Sequence, residues 1–300
     1  MQGKDRIDAF GAASLTGFAL FLAFNQIVIK VVNEGLQPVF FAGLRSALAF
    51  LFLTVWLAVA GRPPRLRRVD LAPGLLAGAA FALEFIFLFL ALDLTTVAHT
   101  AILLYSMPVW MAVLAHFLLP GERLTARRSL GLALAFGGVA TAILYRAAGG
   151  GAGTGVSLAG DLSALAAAVC WAAIAIVVKR SSLRDVRAET QLYWQLMVSA
   201  PILLVAAPFF GPLIRDLQPI HIAGLLFQAV AVASAGFMFW LWLLSIYPAS
   251  GVASFSFLTP VFGVALGWLM LSEPLTPGVF AALVLVAAGM LLINRPARAG

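Results

Sequence analysis

Glu84 is the residue of this chain whose type fits its surroundings least well. It lies in the middle of the apolar run LAGAAFALEFIFLFLAL, at residues 76–92, where an ionised carboxylate must face protein or water rather than lipid. A carboxylate in such a place can receive an ammonium group or carry a proton. It can also stay protonated and hydrogen-bond one helix to its neighbour. The sequence leaves both interpretations open.

Three more polar residues inside apolar runs are candidates for binding: Asn25, Gln26 and Arg45. The two amides can hydrogen-bond a carboxylate or an amine of a ligand, although amides also serve to join helices. For Arg45 the simpler expectation is pairing with Glu84 or with a carbonyl at a helix end. The alternative is that Arg45 acts as counter-ion to a carboxylate from outside the chain.

Three aromatic residues and two prolines complete the set of residues that could take part in binding or in a conformational change. Tyr105, Trp171 and Trp240 lie well away from the predicted helix ends, where aromatic rings can wall a cavity for apolar groups and attract an ammonium. Pro108 and Pro260 each interrupt the hydrogen-bond ladder of a predicted helix. We expect both prolines to act as hinges beside a binding cavity, although a static kink is the simpler alternative.

Four titratable residues lie near predicted helix ends. Lys30 and Lys179 end their helices, where a long side chain can extend to the membrane interface. His99 and His116 could relay protons, but the sequence shows no evident carboxylate partner for either. We therefore assign no role in binding to these four residues.

The composition places these residues in a membrane. Of 300 residues, 63% are hydrophobic and 10% are charged, with a mean hydropathy of +1.04, which is far from the balance of soluble domains. A soluble enzyme, a disordered chain and a disulfide scaffold are excluded, the last because Cys170 is the only cysteine. Ten runs are long and apolar enough for membrane helices: 9–32, 38–60, 70–92, 97–119, 126–145, 157–178, 190–210, 218–244, 249–272 and 276–294.

The distribution of basic residues predicts the orientation. With the N-terminus in the cytoplasm, most Lys and Arg residues fall on the cytoplasmic side, as the positive-inside rule requires. These residues are Lys4, Arg6, Arg62, Arg65, Arg67, Arg68, Arg123, Arg127, Arg128, Lys179, Arg180, Arg184, Arg187, Arg295 and Arg298. The net charge of +7 therefore reflects topology, not nucleic-acid binding. Both termini are predicted to be cytoplasmic, in a cell inner membrane.

The chain repeats itself. Pro108 is followed by Glu122, Leu124, Thr125 and Gly138 in the first half, and Pro260 by Glu273, Leu275, Thr276 and Gly289 in the second. Because each half contains five predicted helices, the second must be inverted in the membrane. We expect a first repeat at 1–148, a Gly-rich linker at 149–156 and a second repeat at 157–300. Inverted repeats around a midplane site are typical of alternating-access transporters.

The repeated segments, Tyr105–Leu144 and Phe257–Ile293, resemble the paired EamA repeats of the drug/metabolite transporter superfamily. Cys170-Trp171-Ala172 opens the second repeat as in that family, whereas Phe24-Asn25-Gln26 departs from its usual Trp-Gly. Within the family the chain is most similar to amino-acid exporters of the YddG type. The resemblance implies export of small metabolites, amino acids including aromatic ones foremost, by alternating access and without a cofactor.

Other functions remain as alternatives. Efflux of lipophilic drugs, nucleotide sugars or lipid precursors is possible for this scaffold, as is a channel-like uniporter. Nucleotide sugars would require several cations in the cavity, and Arg45 is the only basic residue deep within a predicted helix. An intramembrane enzyme is disfavoured because the sequence lacks His-Glu-x-x-His, Gly-x-Ser-x-Gly and paired intramembrane aspartates. No metal site is expected; the oligomeric state is open, and a monomer is plausible.

Overall fold

The computed structural model describes residues 7–119, 126–145, 156–247, 255 and 257–294. These residues form ten apolar helices, numbered α1 to α10 in chain order. Their bounds are Ala9–Gly35 (α1), Pro38–Val59 (α2), Leu71–Leu94 (α3), Val97–Leu118 (α4), Ala126–Tyr145 (α5), Leu158–Arg180 (α6), Ala188–Ala206 (α7), the consecutive pieces Pro219–Leu226, Phe227–Gly236 and Phe237–Ile246 (α8), Leu258–Leu271 (α9) and Pro277–Asn294 (α10).

The lengths of these helices suit a bilayer. Within the described residues, seven helices are long and apolar enough to cross a membrane, and three shorter apolar helices complete the set. The predicted fold, an all-α membrane protein with ten helices in two inverted five-helix repeats, is confirmed. Most of the predicted linker at 149–156, and the start of the predicted ninth helix, lie outside the described residues.

Local sequence explains where several helices begin. Asp8 caps α1 by accepting a hydrogen bond from the amide of Gly11 at 2.8 Å, and Ser157 caps α6 through Gly160 at 3.0 Å. Such caps satisfy backbone amides that have no partner within the helix. Proline, which has no amide hydrogen to satisfy, stands in the first turn of three further helices: Pro38 in α2, Pro219 in α8 and Pro277 in α10.

Two helices depart from regular α geometry. The helix α4 consists of Val97–Leu104 and Met107–Leu118, and Pro108 lies in the first turn of the second piece. In α8 the central piece, Phe227–Gly236, is a π-helix. Wider turns of this kind are rare and occur frequently at functional sites. Both irregularities lie within membrane-length helices, where they can position side chains that a regular helix would not.

The outer surface of the bundle is apolar. Phe209, Val59 and Phe117 are 85%, 84% and 76% exposed, and large exposed hydrophobic side chains are spread over most helices. A surface of this kind would aggregate in water but is matched to lipid tails. Inside the bundle, α3 packs on α6, α2 on α7, α1 on α9 and α5 on α10, so that both halves contribute to each of these contacts.

Candidate functional site

Arg45 and Glu84 are buried on neighbouring helices of the bundle. Arg45, on α2, is 6% exposed, and Glu84, on α3, is 7% exposed. The two side chains interact electrostatically, and we call them the central charge pair. The guanidinium carbon of Arg45 lies 4.3 Å from the ring centre of Phe85 and 6.0 Å from that of Phe89. The aromatic face supports the cation without neutralising it.

The central charge pair does not form the direct contact that was the simpler sequence expectation. In the described part of the chain, no nitrogen of Arg45 lies within 4.0 Å of a carboxylate oxygen of Glu84. The Nε and Nη1 atoms of Arg45 are buried and have no hydrogen-bond partner. Among the described residues, Arg45 also forms no hydrogen bond to a carbonyl at a helix end.

An aromatic wall stands next to the central charge pair. Tyr105, at the break in α4, makes an edge-to-face contact with Trp171 of α6, with ring centres 5.9 Å apart. The Glu84 carboxylate acts electrostatically on both Tyr105 and Cys170, which precedes Trp171 in α6. The structure thus brings together Glu84, Tyr105 and Trp171, three of the residues selected from sequence.

The hydroxyl of Tyr105 connects the two halves of the chain. It interacts with the side chain of Thr259, which directly precedes Pro260 near the start of α9. Tyr105 itself lies three residues before Pro108. The interaction between Tyr105 and Thr259 therefore brings together the starts of the two helical segments that contain the repeated prolines.

The two amides of α1 have different environments. Asn25 accepts a hydrogen bond from the side chain of Gln228, which lies in the π-helix of α8 and also contacts the Asn25 carbonyl at 3.2 Å. Gln26 is 2% exposed, and its Oε1 atom has no partner. Gln26 lies two helical turns before Asn33, whose side chain reaches the Phe89 carbonyl on α3. Gln26 therefore shares the face of α1 that points to α3.

Trp240 is positioned apart from the other selected residues. It stacks on Phe18 of α1, with ring centres 5.4 Å apart and planes inclined by 19°. It packs beside Leu15 and Leu243, in a cluster separate from the one that includes Tyr105 and Trp171. A substrate contact for Trp240 stays a prediction, and its observed role is to pack α8 against α1.

A second buried polar cluster surrounds residues 95–98, which we call the α3–α4 junction. Lys30 donates to the carbonyls of Leu92 and Thr95 at the end of α3, at 3.1 and 2.6 Å. Glu273 accepts from the first two amides of α4, those of Val97 and Ala98, at 2.7 and 3.0 Å. A cation at a helix C-terminus and an anion at a helix N-terminus both complement the helix dipole.

The α3–α4 junction also contacts α6. The carboxylate of Asp161 accepts from the hydroxyl of Thr95 at 3.0 Å and lies 3.1 Å from Nδ1 of His99. The expectation that His99 has no carboxylate partner is therefore wrong, because the fold brings α6 to the start of α4. Gly160 makes the contact possible, since a Cβ at that position would meet Thr95 and the backbone of Leu94.

Sequence reasoning did not select four residues that matter here: Thr259, Gln228, Asp161 and Glu273. Gln228, a single amide in an apolar run, carried the same signal as Asn25 and could have been found. Glu273 was noted as a mark of the repeat but not as a helix cap. The contacts of Thr259 with Tyr105, and of Asp161 with Thr95 and His99, leave no local signal in the sequence. In each case the two partners lie on helices that are distant along the chain.

Polar contacts on the surface close the ends of the bundle. Arg67 binds Asp70 with two hydrogen bonds of 2.7 and 2.8 Å and also reaches the carbonyl of Ser182. The hydrogen bonds from Arg67 to Asp70 raise the pKa of the Arg67 guanidinium above its ordinary value. At the opposite end, Arg215 binds Asp93 at 2.6 and 3.0 Å, which likewise raises the pKa of Arg215.

Comparison with known proteins assigns the family. The chain is 28% identical over 295 residues to the uncharacterized transporter YvbV of Bacillus subtilis, covering 95% of this chain and 93% of the relative. It is 29% identical over 274 residues to a probable amino-acid metabolite efflux pump of Escherichia coli, covering 89% and 88%. A solved protein structure shares the fold, with a TM-score of 0.64 and 19% identity over 94% of this chain and 95% of its own. Residues 9–144 and 158–295 match the model of the EamA-like transporter family, and the chain therefore belongs to that family.

Proposed function

We propose that this membrane transporter exports small metabolites, amino acids including aromatic ones foremost, by alternating access between its two repeats. The observation that carries the proposal is the central charge pair beside Tyr105 and Trp171, enclosed between helices of both halves. Charged groups with incomplete hydrogen bonding suit a small polar ligand, and the aromatic rings suit its apolar part. The name of the Escherichia coli relative supports the same class of substrate.

The hinges of the proposed motion are the segments that begin near Pro108 and Pro260. Pro108 follows the break between the two pieces of α4, and Pro260 lies in the first turn of α9. A proline makes no backbone hydrogen bond through its nitrogen, so the chain can tilt at these points with little loss of hydrogen bonds. The contact between Tyr105 and Thr259 would couple the two tilts. We keep the division into repeats at 1–148 and 157–300, with the Gly-rich linker at 149–156, as part of this proposal.

The proposed orientation places both termini in the cytoplasm of a cell with an inner membrane. It rests on the asymmetry of Lys and Arg along the sequence. Replacing Cys170 by Ala would leave a chain without cysteine, into which single cysteines can be introduced at Lys4 and Arg215. A membrane-impermeant maleimide added to intact spheroplasts should label the Arg215→Cys protein and spare the Lys4→Cys protein. The reverse pattern would overturn the orientation.

Transport itself is tested by reconstitution. Purified protein in liposomes, loaded with unlabelled amino acid, should accumulate the same labelled amino acid by saturable counterflow, for several members of a panel that includes phenylalanine. Empty liposomes and liposomes with the Pro108→Ala, Pro260→Ala double variant serve as controls, and the variant should be slower. If no amino acid shows counterflow and a lipophilic cation or a nucleotide sugar is transported instead, the proposed substrate class is wrong and that other class takes its place.

A further inference from the structure

Arg45 carries a positive charge into the interior without the partners that such a charge normally has. It is buried, and two of its three nitrogen atoms have neither a hydrogen bond nor access to solvent. Removing an ion from water into a protein interior is costly unless hydrogen bonds and an opposite charge compensate. The contact with the Phe85 ring at 4.3 Å offsets only part of that cost. The guanidinium is therefore left with unused donors.

Glu84 is the matching group of opposite charge, and it too has unused capacity. Its carboxylate forms no hydrogen bond or ion pair with another described residue. It acts electrostatically on Arg45, yet the two groups remain more than 4.0 Å apart. A purely structural ion pair would close to about 2.7–2.9 Å and use two parallel hydrogen bonds. The pair is consequently held near but apart.

An α-amino acid has the polarity that fits this separation. Its carboxylate would accept from the free Nε and Nη1 atoms of Arg45, while its ammonium group would donate to Glu84. Both groups are bonded to one carbon, so a single molecule satisfies two buried charges that do not satisfy each other. The free Oε1 atom of Gln26, on the face of α1 that points to α3, is a further acceptor for the ammonium group.

The direction of the amino-acid side chain follows from the surrounding rings. Tyr105 and Trp171 lie on the side of Glu84 that faces α4 and α6, whereas Arg45 lies over Phe85. A ligand that bridges the central charge pair would therefore direct its side chain toward Tyr105 and Trp171. Aromatic and large aliphatic side chains bury the most area there.

We propose that Arg45 and Glu84 form a subsite for the free α-carboxylate and α-ammonium groups of an amino acid, a proposal that rests on the amino-acid transport proposed above. The subsite distinguishes zwitterions from molecules that carry only one of the two charges. Arginine is suited to this role because its planar donors match a carboxylate. Amines, amino-acid esters and N-acylated amino acids each leave one buried charge without a partner.

The first measurement uses the unaltered protein. Equilibrium dialysis in mild detergent should show binding of L-phenylalanine. Its methyl ester, phenethylamine and N-acetyl-phenylalanine should each bind about tenfold more weakly or worse, because losing a charged hydrogen-bonding partner costs at least that factor in affinity. Equal affinity for L-phenylalanine and these three compounds would overturn the subsite.

The second measurement uses variants. Arg45→Gln should lose the preference of L-phenylalanine over its methyl ester, and Glu84→Gln the preference over N-acetyl-phenylalanine, while Arg45→Lys should keep part of the first. Arg184→Gln, at an exposed position, is the matched control and should keep both. A folded Arg45→Gln protein with unchanged preference would overturn the role of Arg45.

The outcomes separate the two proposals. If no amino acid in the panel is bound or transported by the unaltered protein, the proposed function fails and the subsite fails with it. If amino acids are transported but the preferences of both variants match those of the unaltered protein, the function stands and only the subsite fails. Circular dichroism and elution as a single species establish that each variant is folded before its affinities are compared.

Discussion

The α3–α4 junction and the central charge pair are both buried clusters of charge, and both involve α3, yet they are built in opposite ways. At the junction, the charged groups of Lys30, Glu273 and Asp161 all have hydrogen-bond partners. In the central pair, Arg45 and Glu84 have none among the described residues. Satisfied charges fasten helices together, whereas unsatisfied charges are available to a ligand. The difference separates structural polar groups from candidate binding groups.

The largest effect is expected at Glu273. Glu273→Ala leaves two buried amides at the start of α4 without acceptors and removes one of the acidic groups that stabilise the charge of Lys30. The free energy of unfolding should fall by about 2–4 kcal/mol, since each orphaned buried group costs about 1–3 kcal/mol. Titration with SDS in mixed micelles measures this. Glu34→Ala, at an exposed position of α1, is the control, and an equal loss in both variants would show that the junction is not special.

A somewhat smaller effect is expected at Gly160. In Gly160→Ala the new Cβ meets the side chain of Thr95 and the backbone of Leu94, so α6 must move away from the junction. We expect a loss of about 1–3 kcal/mol, the usual cost of overpacking. Gly17→Ala is the matched control in α1, because a Cβ there meets nothing within 4 Å. It should be neutral or stabilising, as alanine favours helix. If both variants behave alike, close packing at Gly160 is not limiting.

Substitution of the central charge pair should not lower the stability of the protein, in contrast to the two variants above. The double variant Arg45→Met, Glu84→Gln removes two desolvated charges that have no direct contact. We expect its free energy of unfolding to equal that of the parent or exceed it by about 1 kcal/mol, because replacing two buried charges by uncharged side chains of similar size removes their desolvation penalty. The same SDS titration applies, alongside loss of amino-acid counterflow. A drop as large as that of Glu273→Ala would mean that the pair is structural.

The smallest effect is expected at Arg215. Arg215→Gln removes two hydrogen bonds to Asp93 and one to the carbonyl of Asn33, all near the surface. The pKa of Arg215 is raised above an already high value, so its guanidinium stays charged throughout the working pH range. The expected loss is about 0.5 kcal/mol, and smaller at high salt. A loss independent of salt would show that the pair behaves as a buried one.

Part of the candidate site could be predicted from sequence. A polar residue in an apolar run is conspicuous, and this signal selected Gln26, Glu84 and Arg45 without any structure. The same signal does not say whether such a residue is satisfied. Asn25 was selected together with Gln26, yet Asn25 is paired with Gln228, while the Oε1 atom of Gln26 is free.

For the aromatic residues too, the sequence does not tell which of the candidates lie together. Tyr105, Trp171 and Trp240 were equivalent by sequence position. The fold brings the first two within 5.9 Å of each other and gives Trp240 to a separate contact with Phe18. Depth along a helix can be counted from the sequence, but the direction in which a side chain points within the bundle depends on how neighbouring helices are rotated and packed.

The sequence by itself determined that the chain lies in a membrane, how many helices it has and that it contains a repeat. It also indicated which residues could bind a ligand. These properties are local or additive along the chain, because the hydrocarbon core acts on each segment of about 20 residues separately. Only the tertiary structure decided which buried charges have partners. The bond from Glu273 to the amide of Val97 joins residues 176 positions apart, and a contact of that kind exists only once the helices of both halves are packed together.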